Sequence, residues 1–273
     1  MIESTYCMDQ QKMINTFRLL CLEAGEIIMK IYESNHYGID LKSDNSPVTL
    51  ADRAADEHIS NGIRTEFGNI QLVTEEQTLT HGKASNSFII VDPLDGTKEF
   101  INRNGDFTIN IAYVENGVPV LGVVYAPAKK RLFYTNIKGG SVEEEPPYNF
   151  LKPVKVRQLE LRVPDNNQLI MVASKSHRNS ETNSYISKYK VSKLKGAGSS
   201  LKFCLLAAGE ADIYPRLGRT MEWDTAAGHA VLRNSGGYVV NFEDHQSLTY
   251  GKTSYENPFF IAYIPGVKLK GPK

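Results

Sequence analysis

Two carboxylates and a hydroxyl stand at the abrupt end of an apolar run, where Phe88-Ile89-Ile90-Val91 leads into Asp92-Pro93-Leu94-Asp95-Gly96-Thr97. That combination suits a hard metal ion. A short continuous apolar run reads as a buried strand over 88–91, and Pro93 with Gly96 predicts a turn as the chain leaves it. Asp92 and Asp95 then flank a bend, so both carboxylates and the Leu94 carbonyl can face one point. Mg²⁺ takes oxygen ligands at roughly 2.0–2.1 Å and keeps several waters, so a few carboxylates and a substrate phosphate complete its shell. A helix opening at Gly96–Phe100 would aim free backbone N–H groups at that phosphate. Taken alone, the motif also describes a type I turn with a capping aspartate. A second set of acids elsewhere in the chain decides between the two.

Such acids are present. Gln71-Leu72-Val73-Thr74 reads as a short strand ending in Glu75-Glu76, adjacent like charges that repel unless a cation holds them. Asp224, after Glu222-Trp223, falls in the first turn of a helix, where an aspartate is also a good N-cap. Asp52 follows Pro47-Val48-Thr49 and reads as another capping acid, preceded by a turn from Lys42 through residues 43–46.

Charge and composition narrow the partners. Acidic and basic residues balance at 31 each, so no global field recruits nucleic acid or an anionic surface, and attraction for a phosphate has to be local. The three cysteines, Cys7, Cys21 and Cys204, show neither zinc spacing nor a nucleophile setting and read as reduced residues of a cytoplasmic protein. Glu3 and Asp9 stand where a signal peptide would be basic, and no run is long enough to span a bilayer. His58, His177 and His229 are isolated and read as polar helix or loop residues. Spacing of Asp-x-x-Asp, not Asp-x-Asp, speaks against an aspartyl-phosphate intermediate of the haloacid dehalogenase type.

The elements that must carry these groups follow from periodicity. Apolar positions from Ile14 to Ile31 predict an amphipathic helix over Met8–Tyr32, and Thr49–Phe67 a second. Tyr37–Lys42, Ile70–Val73 and Phe88–Val91 read as strands. Phe107–Glu115 and Val118–Ala126 form a hairpin about Asn116-Gly117, a favoured two-residue turn, and Arg131–Thr135 adds a strand. From Lys138 to Asn167 the pattern dissolves, with Glu143-Glu144-Glu145 reading as a solvated acidic loop at a seam between lobes. Beyond it come strands at Leu169–Ala173, Lys190–Lys195, Ala211–Tyr214, Tyr238–Val240 and Pro258–Tyr263. Helices are predicted at Asn179–Tyr189, Ser199–Gly209 and Thr225–Asn234.

In the order and wording of these blocks the chain resembles the inositol monophosphatase superfamily of Mg²⁺-dependent, lithium-sensitive phosphatases, over nearly its whole length. The anchors are Pro47-Val48-Thr49 with Asp52, Glu75-Glu76, Asp92 through Thr97, Gly198-Ser199, and Trp223-Asp224 with Ala226-Ala227-Gly228. Thr97-Lys98-Glu99-Phe100-Ile101, Arg103 through Ala112, and Tyr214-Pro215-Arg216-Leu217 most resemble the bacterial 3′(2′),5′-bisphosphate nucleotidases.

The resemblance implies a layered α/β fold, α-β-α-β-α, like inositol monophosphatase and fructose-1,6-bisphosphatase. It implies two lobes, 1–150 with most metal ligands and 151–273 with Asp224 and substrate contacts. Two or three Mg²⁺ ions are implied, with Asp92 bridging, Glu75 and the Leu94 carbonyl on one metal, and Asp95 and Asp224 on the other. Thr97 would position and deprotonate the attacking water, with Asp52 accepting its hydroxyl hydrogen; the role of Glu76 stays open. Substrate contacts are implied at Glu75, Leu94, Asp95, Gly96, Thr97, Ser199, Lys202 and Asp224. Lys202, beside the N–H groups of Ser199 and Ser200, is one seat for a second phosphate; Arg216 and Arg219 are others, and Lys42 either meets the pocket or faces solvent. The implied reaction is hydrolysis of adenosine 3′,5′-bisphosphate to AMP and phosphate in the cytoplasm, with the sulfated 3′-phosphonucleotide as a further substrate. Oligomeric state and contact with the inner membrane face stay open. An inositol or broad sugar-phosphate phosphatase is the alternative, and a non-catalytic phosphonucleotide-binding regulator is the other.

Overall fold

The computed structural model describes residues 2–34, 37–42, 47–82 and 85–271, with side chains from residue 10 onward. The turn expected at 43–46 and the side chain of Cys7 lie outside the described residues. In chain order the elements are α1 (Ile2–Ser34), β1 (Asp40–Leu41), β2 (Pro47–Val48), α2 (Leu50–Phe67), β3 (Gln71–Thr74), β4 (Ser87–Asp95), α3 (Thr97–Ile101), β5 (Thr108–Glu115), β6 (Val118–Ala126), β7 (Arg131–Thr135), β8 (Ser141–Glu144) and β9 (Val156–Gln158). They continue with β10 (Leu169–Ser174), α4 (Ser180–Ile186), β11 (Val191–Ala197), α5 (Leu201–Ala207), β12 (Ile213–Arg216), α6 (Ala226–Asn234), β13 (Tyr238–Asn241) and β14 (Phe260–Tyr263).

Strands β3 to β9 form a seven-stranded sheet in sequence order, parallel only between β3 and β4. A second sheet has the order β11-β10-β12-β14-β13. Alternation along the seven-stranded sheet feeds two cores. Ile89, Val91, Ile109, Ile111 and Val123 pack with Phe17, Ile28 and Ile59 of α1 and α2. Phe88, Ile90, Val114, Val124 and Phe133 face the other way, onto Phe203 of α5 and Val231 of α6, and through them onto Met171 and Ile213 of the second sheet. Tyr185 of α4 closes the outer side. The layers are therefore α-β-α-β-α, as the resemblance implied.

Local sequence explains the ends. Thr49 and Asp52 form a capping box at α2, Thr49 Oγ1 accepting from Ala51 N and Asp52 Oδ2 from Thr49 N at 2.7 Å. Asn116 and Gly117 both take positive φ, 50° and 78°, as a tight hairpin turn requires. Three expectations are corrected. The strand of 88–91 runs on to Asp95. The strand at 37–42 shrinks to Asp40–Leu41. The seam 138–167 contains β8 and β9, which extend the first sheet, and Glu143 and Glu144 lie in β8 and not in a solvated loop; Glu145, just past β8, does stand partly open to solvent. Glu144 is fully buried and binds Arg18 of α1 through two contacts, of 2.6 and 2.7 Å, while Glu143 meets Arg131 and Arg157. Those charges are satisfied inside the fold, which a reading of local charge has no means to foresee.

Candidate metal centre

On β4, Phe88 and Ile90 point toward the α5/α6 core, so Asp92 lies next on that side. Strict alternation would send Asp95, an odd number of residues further, to the opposite face. A bulge prevents this. Asp92 pairs with Asn110 and Asp95 with Thr108, an interval of three on β4 against two on β5. Leu94 consequently joins Ile89 and Val91 in the α1/α2 core, and Asp95 returns to the side of Asp92. Asp224, in the turn before α6, completes a group in which one carboxylate oxygen from each of the three residues lies within 4.8 Å of the others.

Each carboxylate is held by the backbone. Leu94 N–H donates to Asp92 Oδ1 at 3.0 Å, Ser200 N–H to Asp95 Oδ2 at 2.7 Å, and Met221 N–H to Asp224 Oδ2 at 2.8 Å. Asp92 Oδ2 is buried and has no partner. Burial, then the charges of Glu75, Asp95 and Asp224, push the Asp92 carboxyl well above the ordinary range. Burial likewise pushes Asp224 up to about 8, with Asp95 and Glu75 adding to it. Asp95, half-buried, is raised to about 6 by loss of solvation, the ammonium of Lys202 acting against the shift. Three crowded acids, one with an orphaned oxygen, are costly as they stand, and a divalent cation would supply the missing partner. All the donors are hard oxygens, the set that fits Mg²⁺, Ca²⁺ or Mn²⁺.

Around this centre the chain sets two further groups. Glu75 leaves β3 with its N–H on Val91 O at 3.1 Å, and Lys42 Nζ lies 2.7 Å from Glu75 and 2.6 Å from Glu76. Glu75 stands outside the three-carboxylate cluster, although its charge is felt at Asp92. Burial and the neighbouring Glu75 raise Glu76 to about 7. Burial would lower Lys42, but the two glutamates outweigh it and raise the lysine. Lys42 thus meets the pocket. Gly96, at φ 99°, turns the chain from β4 into α3 and presents Thr97, whose Oγ1 donates to Asp52 Oδ1 at 2.9 Å and lies 3.5 Å from Leu94 O.

The cluster opens on a cavity of about 920 Å³, with Glu75, Glu76, Asp95 and Asp224 on one wall and Lys202, Arg216 and Arg219 among its other lining residues. Lys202 is buried, donates to Ser199 O at 2.6 Å and lies 5.2 Å from the Tyr214 ring centre. Burial lowers it to about 8. Ser200 N–H is engaged by Asp95, so it is not free for a phosphate as the sequence suggested. Arg216 donates to His177 O and Arg219 O, at 3.4 and 3.0 Å, and keeps a buried Nε without a partner. Gly198 admits the close approach behind this wall, since a Cβ there would sit 2.3 Å from Asp106 O. Of the histidines singled out, His229 is buried against Tyr250, at 3.0 Å from its hydroxyl, and His58 pairs with Glu23 at 2.9 Å. His177, exposed, lines the cavity without joining the acids. His81 was missed: its ring stacks on Trp223 inside the cavity, a contact between distant residues that no local pattern signals.

A layered α/β phosphatase fold with a buried carboxylate cluster is the class that this geometry defines. The inositol monophosphatase family model matches residues 9–259. The chain belongs to the inositol monophosphatase family. It is 39% identical to the 3′(2′),5′-bisphosphate nucleotidase CysQ of Buchnera aphidicola subsp. Acyrthosiphon pisum, over 93% of this chain and 91% of that one. To the CysQ of Salmonella typhimurium it is 41% identical, over 90% and 97%. Among solved structures, CysQ from Bacteroides thetaiotaomicron superposes with a TM-score of 0.76 at 38% identity, covering 92% of this chain and 97% of that chain. The inositol monophosphatase from Anabaena shares the fold, with a TM-score of 0.71 at 20% identity, over 95% and 93%.

Proposed function

We propose that the protein is a 3′(2′),5′-bisphosphate nucleotidase, releasing phosphate from adenosine 3′,5′-bisphosphate to leave AMP. The observation that carries this reading is the orphaned Asp92 Oδ2 beside Asp95 and Asp224, which line a cavity whose walls also supply the buried cations Lys202 and Arg216. The relatives named as bisphosphate nucleotidases over most of this chain supply the substrate class.

In this reading Asp92, Asp95, Asp224, Glu75 and the Leu94 carbonyl hold two or three Mg²⁺ ions. Bound divalent cations neutralise phosphate charge and acidify a water. Thr97 Oγ1, with its hydrogen committed to Asp52 Oδ1, turns its lone pairs outward and can accept a proton from that water. Asp52 can take up the displaced proton, since burial raises its carboxyl above the usual range. Water oxygen bonds to phosphorus as the P–O ester bond breaks, the leaving oxygen takes a proton from solvent, Asp52 returns its proton to solvent, and no phosphoenzyme forms. Gly96, Ser199 and Lys202 line the substrate, and Arg216, with its spare Nε–H, is the best-supplied donor for the phosphate that stays. We assign the ligands of the first lobe, 1–150, and Asp224 of the second, 151–273, to one shared site. The setting proposed is cytoplasmic; peripheral contact with the inner membrane face is the alternative, separated by fractionation with a salt wash. No helix among the described residues is long and apolar enough to cross a membrane.

Phosphate release from adenosine 3′,5′-bisphosphate, inositol 1-phosphate and fructose 1,6-bisphosphate, each with Mg²⁺ and with a chelator, tests the proposal. Preference for the nucleotide with Mg²⁺ supports it. Preference for inositol 1-phosphate moves it to the sugar-phosphate alternative, and binding without release to the regulator.

A further inference from the structure

His81 touches both halves of the centre without belonging to it. Its Nε2 lies 2.8 Å from Thr74 O, and because a carbonyl oxygen only accepts, Nε2 carries the hydrogen. Thr74 is the residue immediately before Glu75. The face of the same ring lies on Trp223, with centroids 5.0 Å apart and planes 23° apart, and Trp223 is the residue immediately before Asp224. One imidazole therefore ties the backbone at one acid to the side chain beside another, across segments from opposite ends of the chain.

The surroundings fix both ends. Thr74 N–H donates to Thr80 Oγ1 at 3.1 Å, and Thr80 Oγ1 donates to Gln77 O at 2.6 Å. Gln77 Nε2 reaches Asp56 Oδ2 of α2 at 2.6 Å, and Thr74 Oγ1 bonds the other Asp56 oxygen. The loop that bears Glu75 and Glu76 is thus tied to α2 and returns to offer His81. On the other side Trp223 is 7% exposed and packs against Tyr255, which also flanks His81.

We propose that His81 is a positioning residue that clamps the Glu75 loop to the Trp223-Asp224 segment, so that acids from both halves are spaced for a divalent cation before it binds. The proposal rests on the metal reading above. Groups that hold a ligand from behind change metal affinity without touching the ion, and pre-set spacing removes reorganisation from the binding step.

The experiment is calorimetric Mg²⁺ titration of the full chain as wild type, His81→Ala, His81→Phe and Asp92→Asn, with fluorescence of Trp223, the only tryptophan, followed in parallel. His81→Ala is expected to weaken Mg²⁺ about tenfold, the low end for loss of a group behind a ligand. The Trp223 spectrum should change even without metal, while kcat recovers at saturating Mg²⁺. His81→Phe keeps the stack and loses the hydrogen bond, so its affinity falls between the two. Unchanged Mg²⁺ affinity in a folded His81→Ala overturns the clamp, as does a kcat loss that Mg²⁺ fails to restore. If instead wild type and Asp92→Asn take up Mg²⁺ alike, the three-carboxylate centre is overturned, and the clamp with it.

Discussion

Thr97 Oγ1 and Asp52 Oδ1 stand 2.9 Å apart, joining the turn after β4 to the cap of α2. Asp52 therefore serves two ends. Its other oxygen accepts from Thr49 N–H at 2.7 Å and from the Thr49 hydroxyl at 2.5 Å, which stabilises the helix, while Oδ1 orients Thr97.

These roles separate by mutation. Thr97→Val should leave the melting temperature nearly unchanged and lower kcat by about 10²–10⁴-fold, the usual worth of a placed proton acceptor. Thr49→Ala should cost stability, about 1 kcal/mol for a lost cap, and reach kcat only through Asp52. A Thr97→Val enzyme with at least half the wild-type kcat contradicts the assignment.

Asp92→Asn should abolish turnover with almost no change in volume. Removing one charge from crowded acids should leave the metal-free protein at least as stable, because burial and like charge already disfavour ionisation there. Thermal melts with and without Mg²⁺ check this, and the Mg²⁺-induced rise should vanish in the variant.

The pH dependence of the metal-free protein follows with its sign. Asp224 titrates near 8 and Asp95 near 6 in the folded state, both above the ordinary carboxylate value of 3.8. Folded protein then holds more protons than unfolded across that window, so stability present at low pH is lost as pH rises through about 8. Melts in chelator should fall in temperature from about pH 6 to about pH 8.5, and Mg²⁺ should flatten the slope by displacing those protons. A rise over that range refutes the assignment.

Arg216→Ala should raise KM for the bisphosphate nucleotide roughly ten- to a hundredfold and spare substrates with one phosphate, as expected for loss of a charge-assisted contact. Lys202→Ala should affect both classes, because its ammonium holds the Ser199 carbonyl and faces Asp95. Steady-state kinetics on both substrates decide, and a selective loss at Lys202 instead would give it the second phosphate.

Arg18→Leu should destabilise the protein by about 3–5 kcal/mol in urea unfolding, since Glu144 would be left as a buried unpaired charge. Glu145→Gln should leave the urea midpoint unchanged, because its partner Lys155 is exposed and solvent screens the pair.

Most of the site was legible because the motifs are local. Asp92-Pro93-Leu94-Asp95-Gly96-Thr97 sits on one strand end, and Thr49 with Asp52 on one helix cap. The hairpin at Asn116-Gly117 was legible for the same reason. What escaped depended on distance. Glu143 and Glu144 read as solvated because Arg18 and Arg131, which neutralise them, lie elsewhere in the sequence. His81 carried no signal because its meaning comes from Trp223. Lys202 read as a seat for a second phosphate because nothing local tells that every residue of its helix is buried.

The bulge in β4 turns arithmetic into chemistry. Asp92 and Asp95 share a face only because one residue is surplus to the ladder with β5. Deleting Leu94 would leave a plain two-residue interval that keeps both acids on one face, but it would remove the carbonyl between them and an apolar contact with the α1/α2 core, whereas replacing Leu94 with another apolar residue would keep both. The three-residue spacing thus places a core side chain between two acids without parting them. One strand end thereby holds two carboxylates on one face and an apolar anchor on the other, so the core grips from behind the turn that carries the acids.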